Sequence, residues 1–168
     1  CRASAYSSKE EYDKAIENLD QAISLDPEEA DYWYWRGITY YVEDKNDKAI
    51  ENFDQAISLN PKDARYWHFR GRAYADKGEY DKAIENYDKA ISLNPEVADY
   101  WAYRGFADYV EGKYDKAIED YDQAISLNPE VADYWYRRGI ACGNKGEYDK
   151  VIENYDKAIS LNPEVADY

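Results

Sequence analysis

Apolar and polar residues follow a helical period along most of the chain. In one representative segment the apolar positions recur at i, i+4 and i+7, which places them along one face of an α-helix. They are Ala83, Ile84, Tyr87, Ala90 and Ile91. Glu85 and Lys89 fall on the solvent side in the favourable i,i+4 order, and Pro95 cannot continue the helix. The pattern predicts an amphipathic helix that ends just before Pro95.

The same pattern recurs along the chain with a fixed period. All prolines of the sequence are 34 residues from the next one: Pro27, Pro61, Pro95, Pro129 and Pro163. A fixed period of this size is typical of a solenoid, in which each unit buries its apolar face only against its neighbours. The sequence therefore predicts an all-α repeat protein and excludes a domain with one closed core.

The register divides the chain into units when proline is placed at position 32. We expect one array over residues 1–168, made of a partial repeat 1–29, full repeats 30–63, 64–97, 98–131 and 132–165, and the start of a truncated repeat 166–168. Each full unit is predicted to hold two helices, at about positions 2–14 and 17–30. The turn between them contains Gly78, Gly112 or Gly146 in three units.

The repeated residues resemble the tetratricopeptide repeat (TPR) pattern. The matching residues in the first full unit are Trp33, Arg36, Gly37, Tyr40, Ala49, Phe53 and Pro61. The resemblance covers essentially the whole chain and implies an α-α superhelix, a solenoid of stacked antiparallel helix pairs. It also implies a protein-interaction scaffold that holds a peptide or a helix in a concave groove.

Two positions depart from that pattern. Position 7 is arginine in every full unit, where the pattern has leucine: Arg36, Arg70, Arg104 and Arg138. Position 11 should be tyrosine but is Asp108 in the third unit and Cys142 in the fourth. An acid at a packed position implies a local partner such as an arginine, or a loosened helix pair.

One face of the first helix is the candidate binding surface. Positions 4, 7, 8 and 11 cluster toward the second helix, so positions 2, 5, 6, 9, 12 and 13 point away from it. The second helices are nearly identical between units, whereas this face differs from unit to unit and is rich in aromatic residues. The candidate binding residues are Tyr34, Trp35, Ile38, Tyr41, Phe69, Arg72, Tyr103, Phe106, Tyr109, Tyr136 and Arg137.

Packing between repeats is the alternative explanation for these aromatic residues. We accept it for positions 3 and 10, but we favour binding for Tyr34, Trp35, Phe69, Tyr103 and Phe106. Contiguous apolar patches with polar rims mark binding sites, and tyrosine, tryptophan and arginine dominate binding hot spots.

Basic residues of the second unit form a possible anion site. Arg65, His68 and Arg72 could take an acidic side chain or a terminal carboxylate; pairing with Asp31, Asp76 or Asp99 is the equally open alternative. The lysine and asparagine clamp by which some TPR domains grip a C-terminal carboxylate does not match this sequence.

Composition limits the remaining functions. A net charge of −15 disfavours nucleic-acid binding, and no apolar run approaches the roughly 18 residues of a membrane span. His68 is the only histidine, so no histidine-based metal cage or catalytic triad is available, and no phosphate loop indicates a cofactor. Cys1 and Cys142 are too far apart for a disulfide, so a reducing compartment such as the cytoplasm is the default. Nothing indicates an enzyme.

A self-assembling array is the second functional hypothesis. The last second helix carries Ile152, Tyr155, Ile159 and Leu161, which inner units bury against the following first helix. Terminal repeats normally need polar caps for solubility. We therefore expect concentration-dependent self-association through this C-terminal face.

Overall fold

The computed structural model describes the backbone of residues 2–163 and the side chains from Glu11 onward. Its helices are α1 (Arg2–Leu25), α2 (Ala30–Val42), α3 (Asn46–Leu59), α4 (Ala64–Asp76), α5 (Tyr80–Leu93), α6 (Ala98–Val110), α7 (Tyr114–Leu127), α8 (Ala132–Lys145) and α9 (Tyr148–Leu161). This described part of the chain is all-α. Cys1 and the truncated repeat 166–168 lie outside the described residues.

The helix bounds follow the 34-residue register. The second helices α3, α5, α7 and α9 run from position 17 to position 30, as the sequence predicts. Gly78, Gly112 and Gly146 adopt φ values of 75°, 74° and 85°, and Asp44 takes the same turn position in the first full unit with φ 60°. This left-handed conformation closes the first helix, and it explains why glycine is preferred there.

Helix α1 departs from the two-helix unit. It is one continuous helix from Arg2 to Leu25, although the register places an inter-helix turn near Glu10 and Glu11. The sequence has no glycine at this point, and glutamate is a good helix former, so the backbone continues as helix.

The chain divides into two compact units, residues 1–79 and residues 80–168. We call these the first unit and the second unit, and we call the 34-residue units repeats. In the first unit α2 packs on α3 and α3 packs on α4. Its core is made of Ala30, Tyr34, Ala49, Ile50, Phe53, Ala56, Ile57, Tyr66 and Ala73. In the second unit the consecutive helices from α5 to α9 include the packed pairs α6 and α7, α7 and α8, and α8 and α9. The positions 3 and 10 assigned to packing are buried at Tyr66, Tyr134, Ala73 and Ala141.

The glycine at position 8 permits close helix packing. A Cβ atom on Gly37 would lie 2.6 Å from Phe53 Cε1, and one on Gly139 would lie 2.6 Å from Tyr155 Cε1. Since each ring belongs to the second helix of the same repeat, a larger residue in place of the glycine would push the two helices of that repeat apart. The structure confirms that the close approach of the partner helix compensates for glycine inside the first helix.

The tryptophan at position 4 closes the connection between repeats. Its indole Nε1 donates a hydrogen bond to the carbonyl oxygen of the proline six residues earlier. The pairs are Trp33 to Pro27 at 3.0 Å, Trp67 to Pro61 at 3.0 Å, Trp101 to Pro95 at 2.9 Å and Trp135 to Pro129 at 2.9 Å. The recurrence of both residues with one period therefore has a direct cause in the loop between repeats.

The arginine at position 7 binds two second helices at once. Arg104 donates from Nε and Nη2 to Asp120 of its own repeat, at 2.9 and 2.6 Å, and from Nη1 to Asp88 of α5 at 2.5 Å. Its guanidinium also lies 5.0 Å from the ring centre of Trp101. Arg36 and Arg138 repeat this arrangement with asparagine in place of Asp120. This accounts for the departure from leucine.

Position 11 holds buried polar groups in the second unit. Asp108 is 4% exposed, and Lys113 Nζ lies 3.9 Å from its Oδ1 atom, so a lysine is the local charged partner. Burial raises the pKa of this carboxyl, against the attraction of Lys113. Cys142 is a free, buried thiol whose pKa burial also raises.

Within the described residues, no helix is long and apolar enough to span a membrane.

Candidate functional site

The surface of α2 presents one exposed aromatic residue over a buried one. Trp35 is 51% exposed, and its ring meets that of Tyr34 edge-on at 5.1 Å. Tyr34 itself is only 4% exposed and packs against Tyr66 and Phe69 at centroid distances of 5.1 and 5.7 Å. The ring of Tyr34, a candidate binding residue, therefore belongs to the core cluster and packs beneath Trp35.

Four other predicted residues form the neighbouring patch of the first unit. Ile38, Tyr41 and Phe69 are half-buried against the core cluster. The guanidinium of Arg72 lies 5.0 Å from the ring centre of Tyr41 and 5.1 Å from that of Phe69. Burial, followed by a hydrogen bond with Asp76, raises the pKa of Tyr41 to about 12. The patch is thus aromatic with a cation stacked on it.

The basic residues of α4 do not form a free anion site. Arg65 pairs with Asp31 at 3.1 Å, as the intramolecular alternative predicts, and also with Asp63 at 2.6 Å. Its guanidinium lies 5.1 Å from the ring centre of Tyr34 and 5.6 Å from that of Tyr66. The hydroxyl of Tyr66 donates to the same Asp31 carboxylate at 2.7 Å.

His68 does not contribute a positive charge. It is 6% exposed, and burial, assisted by the charge of Arg72, lowers its pKa to about 3. The imidazole is therefore neutral at physiological pH, and the expected cationic group of three residues is reduced to two arginines, of which Arg65 is held by carboxylates.

A cavity of about 270 Å³ lies between α6 and α8 in the second unit. It is lined by Asp99, Ala102, Tyr103, Phe106, Val131, Asp133, Tyr134 and Arg137. Three of these, Tyr103, Phe106 and Arg137, are candidate binding residues from the sequence. The cavity is slightly below the size of a typical small-molecule pocket, about 300–1,000 Å³, and suits a side chain.

Polar groups at the rim of this cavity are held by neighbouring residues. The hydroxyl of Tyr134 donates to Asp99 Oδ1 at 2.5 Å. Arg137 donates from Nε to Asp133 Oδ2 at 2.5 Å, and its guanidinium lies 5.3 Å from the ring centre of Phe106. Burial raises the pKa of Tyr134, and the hydrogen bond to Asp99 adds to this shift. The rim carries two carboxylates against one guanidinium, over an aromatic and aliphatic floor.

The remaining predicted residues lie outside the cavity lining. Tyr109 accepts a hydrogen bond from Asn144 Nδ2 at 3.2 Å and packs near Tyr114 at 5.7 Å. Tyr136 stacks on Tyr155 of α9 at 5.6 Å. Both are half-buried, and their role in binding stays a prediction.

Sequence reasoning missed part of the lining. It assigned Tyr134 to the core by its position 3, and it left Val131 and Ala102 without a role. Ala102 was the sequence signal for a cavity, because its side chain is small where the two preceding repeats carry Tyr34 and His68.

Family comparisons agree with this repeat structure. The family model described as TPR repeat matches residues 3–42, 71–109 and 107–146, and the tetratricopeptide repeat model matches residues 30–63 and 132–165. The chain belongs to the tetratricopeptide repeat family. The fold is accordingly an all-α TPR solenoid. Among curated proteins, no sequence matches the chain.

Solved structures of TPR proteins resemble the chain over nearly its full length. A crystal structure of MamA is 28% identical, covers 96% of this chain and 95% of its own, and has a TM-score of 0.87. YrrB, described as a TPR protein with an unusual peptide-binding site, is 25% identical, covers 96% of this chain and 83% of its own, and has a TM-score of 0.79. MamA from Desulfovibrio magneticus RS-1, at 20% identity and a TM-score of 0.85 over 91% of this chain and 86% of its own, supports the fold.

TPR proteins are generally scaffolds for protein interactions rather than enzymes. In the part of the chain that the structure describes, no three histidine, cysteine, aspartate or glutamate side chains come together as a metal site. The TPR assignment supports a protein or a peptide as the partner.

Proposed function

We propose that this TPR array binds a peptide or a helix of a partner protein on the first-helix surface, with aromatic side chains as anchors. The observation that carries the proposal is the cavity between α6 and α8, where Tyr103, Phe106 and Arg137 surround about 270 Å³ of space. Aromatic residues and arginine at a concave, partly desolvated site are the residue types that carry most binding energy.

Two further observations support this proposal. Trp35 is half-exposed on α2, where a rigid ring offers a large contact area to a ligand. YrrB, which resembles the chain in sequence and fold, is described as having a peptide-binding site. Both compact units therefore offer an aromatic anchor on the first-helix surface, the face formed by positions 2, 5, 6, 9, 12 and 13 of the first helices.

The experiment begins with selection of peptides from a random displayed library on the full chain, followed by affinity measurement by calorimetry. Phe106→Ala and Tyr103→Ala should weaken the selected peptides by about tenfold or more, the loss expected for a hot-spot residue. Tyr148→Ala is the matched control, since Tyr148 is an exposed aromatic residue of α9. Far-UV circular dichroism should show unchanged helicity in each variant.

Two results would contradict the proposal. The first is that selected peptides bind the Phe106→Ala and Tyr103→Ala chains as tightly as the parent chain. The second is a loss of helicity in these variants, which would assign Tyr103 and Phe106 to packing between helices.

Self-association is the second candidate function, and the exposure of α9 favours it. Ile152 is 63% exposed and Ile159 is 39% exposed, whereas the equivalent Ile50 and Ile125 are 8% and 7% exposed. In the described residues, the face that α3 and α7 bury against a following first helix is thus exposed on α9. A second copy of the chain can cover such an apolar face.

A further inference from the structure

One arginine of the chain shows how the first-helix surface binds a guanidinium. In the first unit Arg65 Nη2 lies 3.1 Å from Asp31 Oδ1, and its guanidinium lies over the ring of Tyr66 at 5.6 Å. The hydroxyl of Tyr66 donates to the same carboxylate oxygen at 2.7 Å. An acid, a tyrosine and an arginine thus form one site between α2 and α4, where Asp63 holds the same guanidinium at 2.6 Å.

The second unit repeats the acid and the tyrosine but not the arginine. Asp99 stands 34 residues after Arg65 and 68 after Asp31, at the same register position, and Tyr134 corresponds to Tyr66. Tyr134 donates to Asp99 at 2.5 Å, as Tyr66 does to Asp31. The position of Arg65 is taken by Asp133, which is exposed, and that of Asp63 is taken by Val131. An internal guanidinium is replaced here by a second carboxylate.

A second replacement opens space at this site. Ala102 stands where the first unit has Tyr34, whose ring is packed among Phe53, Tyr66 and Phe69. The smaller side chain leaves the cavity of about 270 Å³, with Asp99, Asp133 and Tyr134 in its lining. Both replacements favour a bound cation at this site. Asp133 stands in place of an arginine, and Ala102 leaves room for an incoming side chain.

We propose that this cavity receives the arginine side chain of a bound peptide, in the place that Arg65 takes in the first unit. The guanidinium pairs with Asp99 and Asp133 and lies on the ring of Tyr134, while Phe106 and Ala102 contact its aliphatic stem. The inference rests on the proposed function, and it adds the chemistry of the ligand, a peptide with an exposed arginine.

The charges of the site favour a cation over other occupants. The rim has two carboxylates and one guanidinium, and Arg137 already uses Nε on Asp133. The net charge of −15 attracts a basic peptide from solution and raises its association rate. Arginine is preferred to lysine because a planar guanidinium both stacks on an aromatic ring and donates to carboxylates in a fork.

The direct test uses N-acetyl-L-arginine amide as the probe, titrated into the ¹⁵N-labelled full chain and followed by NMR at the amide of Ala102. N-acetyl-L-citrulline amide has nearly the same shape without the charge. N-acetyl-L-lysine amide keeps the charge without the planar group. We expect saturable shifts at Ala102 with the arginine probe, and binding about fivefold weaker with each of the other two.

Matched variants locate the binding. Asp99→Asn keeps an acceptor for Tyr134 and should weaken the arginine probe about fivefold. Asp31→Asn, the equivalent change in the first unit, should leave the shifts at Ala102 unchanged. Ala102→Tyr fills the space and Asp133→Arg supplies an internal guanidinium, so each should abolish the shifts, which for Ala102→Tyr are followed at the amide of Tyr103.

The outcomes separate this inference from the proposed function. Citrulline or lysine probes that bind as well as arginine would overturn the inference, and so would unchanged binding to Asp99→Asn. Peptides selected on the array that bind through Phe106 without any arginine would overturn it while the proposed function stands. Saturable arginine binding that Asp99→Asn weakens would support it even if library selection yields no peptide.

Discussion

The arginine at position 7 shows how one side chain can replace an apolar residue in a helical repeat. Its stem and guanidinium cover the tryptophan three residues before it, at 4.6 Å for Arg36 on Trp33 and 4.7 Å for Arg138 on Trp135. Its polar atoms are satisfied by acids or asparagines of two second helices. Burying part of a charged residue is tolerated here because its donors find partners on both sides.

Two glycines of first helices should respond in opposite directions to alanine. In Gly37→Ala the new Cβ would lie 2.6 Å from Phe53, which is fully buried, so we expect a loss of about 1–3 kcal/mol from overpacking. In Gly143→Ala the closest atom is Val151 Cγ2 at 3.6 Å, so helix propensity should add about 0.5–1 kcal/mol. Urea unfolding followed by circular dichroism measures both changes. Equal stability of the two variants would contradict the packing argument.

The buried carboxyl of Asp108 should make stability depend on pH. Its pKa in the folded protein is raised by burial, so folding favours the protonated form. The stability that this carboxyl contributes is therefore present below the unfolded pKa of about 3.9 and is lost as pH rises through the raised folded value. Asp108→Asn should accordingly be more stable than the parent chain at pH 7, with an advantage that shrinks toward pH 3.5.

The control for that measurement is Asp156→Asn, which removes an exposed carboxylate from α9. We expect the difference in unfolding free energy between parent and Asp108→Asn to vary with pH more steeply than for the control. An advantage for Asp108→Asn that is constant from pH 3.5 to pH 7 would show that the ion pair with Lys113 offsets the cost of burial.

At the scale of the helix, the starts of the first helices differ in capping. Asp63 caps α4 and accepts a hydrogen bond from the backbone nitrogen of Arg65 at 2.9 Å, whereas Val97 caps α6 without any side-chain hydrogen bond. The backbone is nearly the same at both, with φ and ψ of −86° and 112° at Asp63 and −92° and 105° at Val97. The better cap of α4 thus comes from the side chain.

This difference predicts that removing the side-chain cap of α4 destabilises the chain and that adding one to α6 stabilises it. Val97→Asp should gain up to about 1 kcal/mol from a new hydrogen bond to a free backbone N–H group. Asp63→Ala should cost about 0.5–2 kcal/mol for the lost cap, in addition to the loss of the ion pair with Arg65. Thermal unfolding measures both, and Val97→Ala separates the new cap from lost valine contacts. A Val97→Asp chain no more stable than Val97→Ala would contradict the capping argument.

The helices could be predicted from the sequence because their signals are local. Apolar spacing, the proline at position 32 and the turn glycines predict α3, α5, α7 and α9 at about positions 17–30, where the structure has them. The continuous α1 was not anticipated, since the repeat register was carried into residues that lack a turn glycine. The site was predictable only in part: the face of Phe106 follows from helix geometry, whereas the burial of Tyr34 depends on the rings of Tyr66 and Phe69, which come from another helix.

At the scale of the whole molecule, the repeats can be compared with one another at equivalent positions. The same register position carries Arg65 in one unit and Asp133 in another, and the sequence alone gives no reason to connect them with a cavity. The structure supplies that reason, because the site of Arg65 shows what Asp31 and Tyr66 can bind. Differences between nearly identical repeats are therefore the observations on which the proposed arginine site rests.

The final prediction concerns association between whole molecules. Ile152 and Ile159 are 63% and 39% exposed on α9, and covering an apolar face of a few hundred Å² yields several kcal/mol at about 25 cal/mol per Å² before the costs of association. We expect sedimentation to show weak, concentration-dependent self-association that Ile152→Glu combined with Ile159→Glu abolishes. Leu25→Glu, a change at an aliphatic residue of α1 that is 86% exposed, should leave association intact. A parent chain that stays monomeric at millimolar concentration would contradict the prediction, because association costs would then exceed what the isoleucine face contributes.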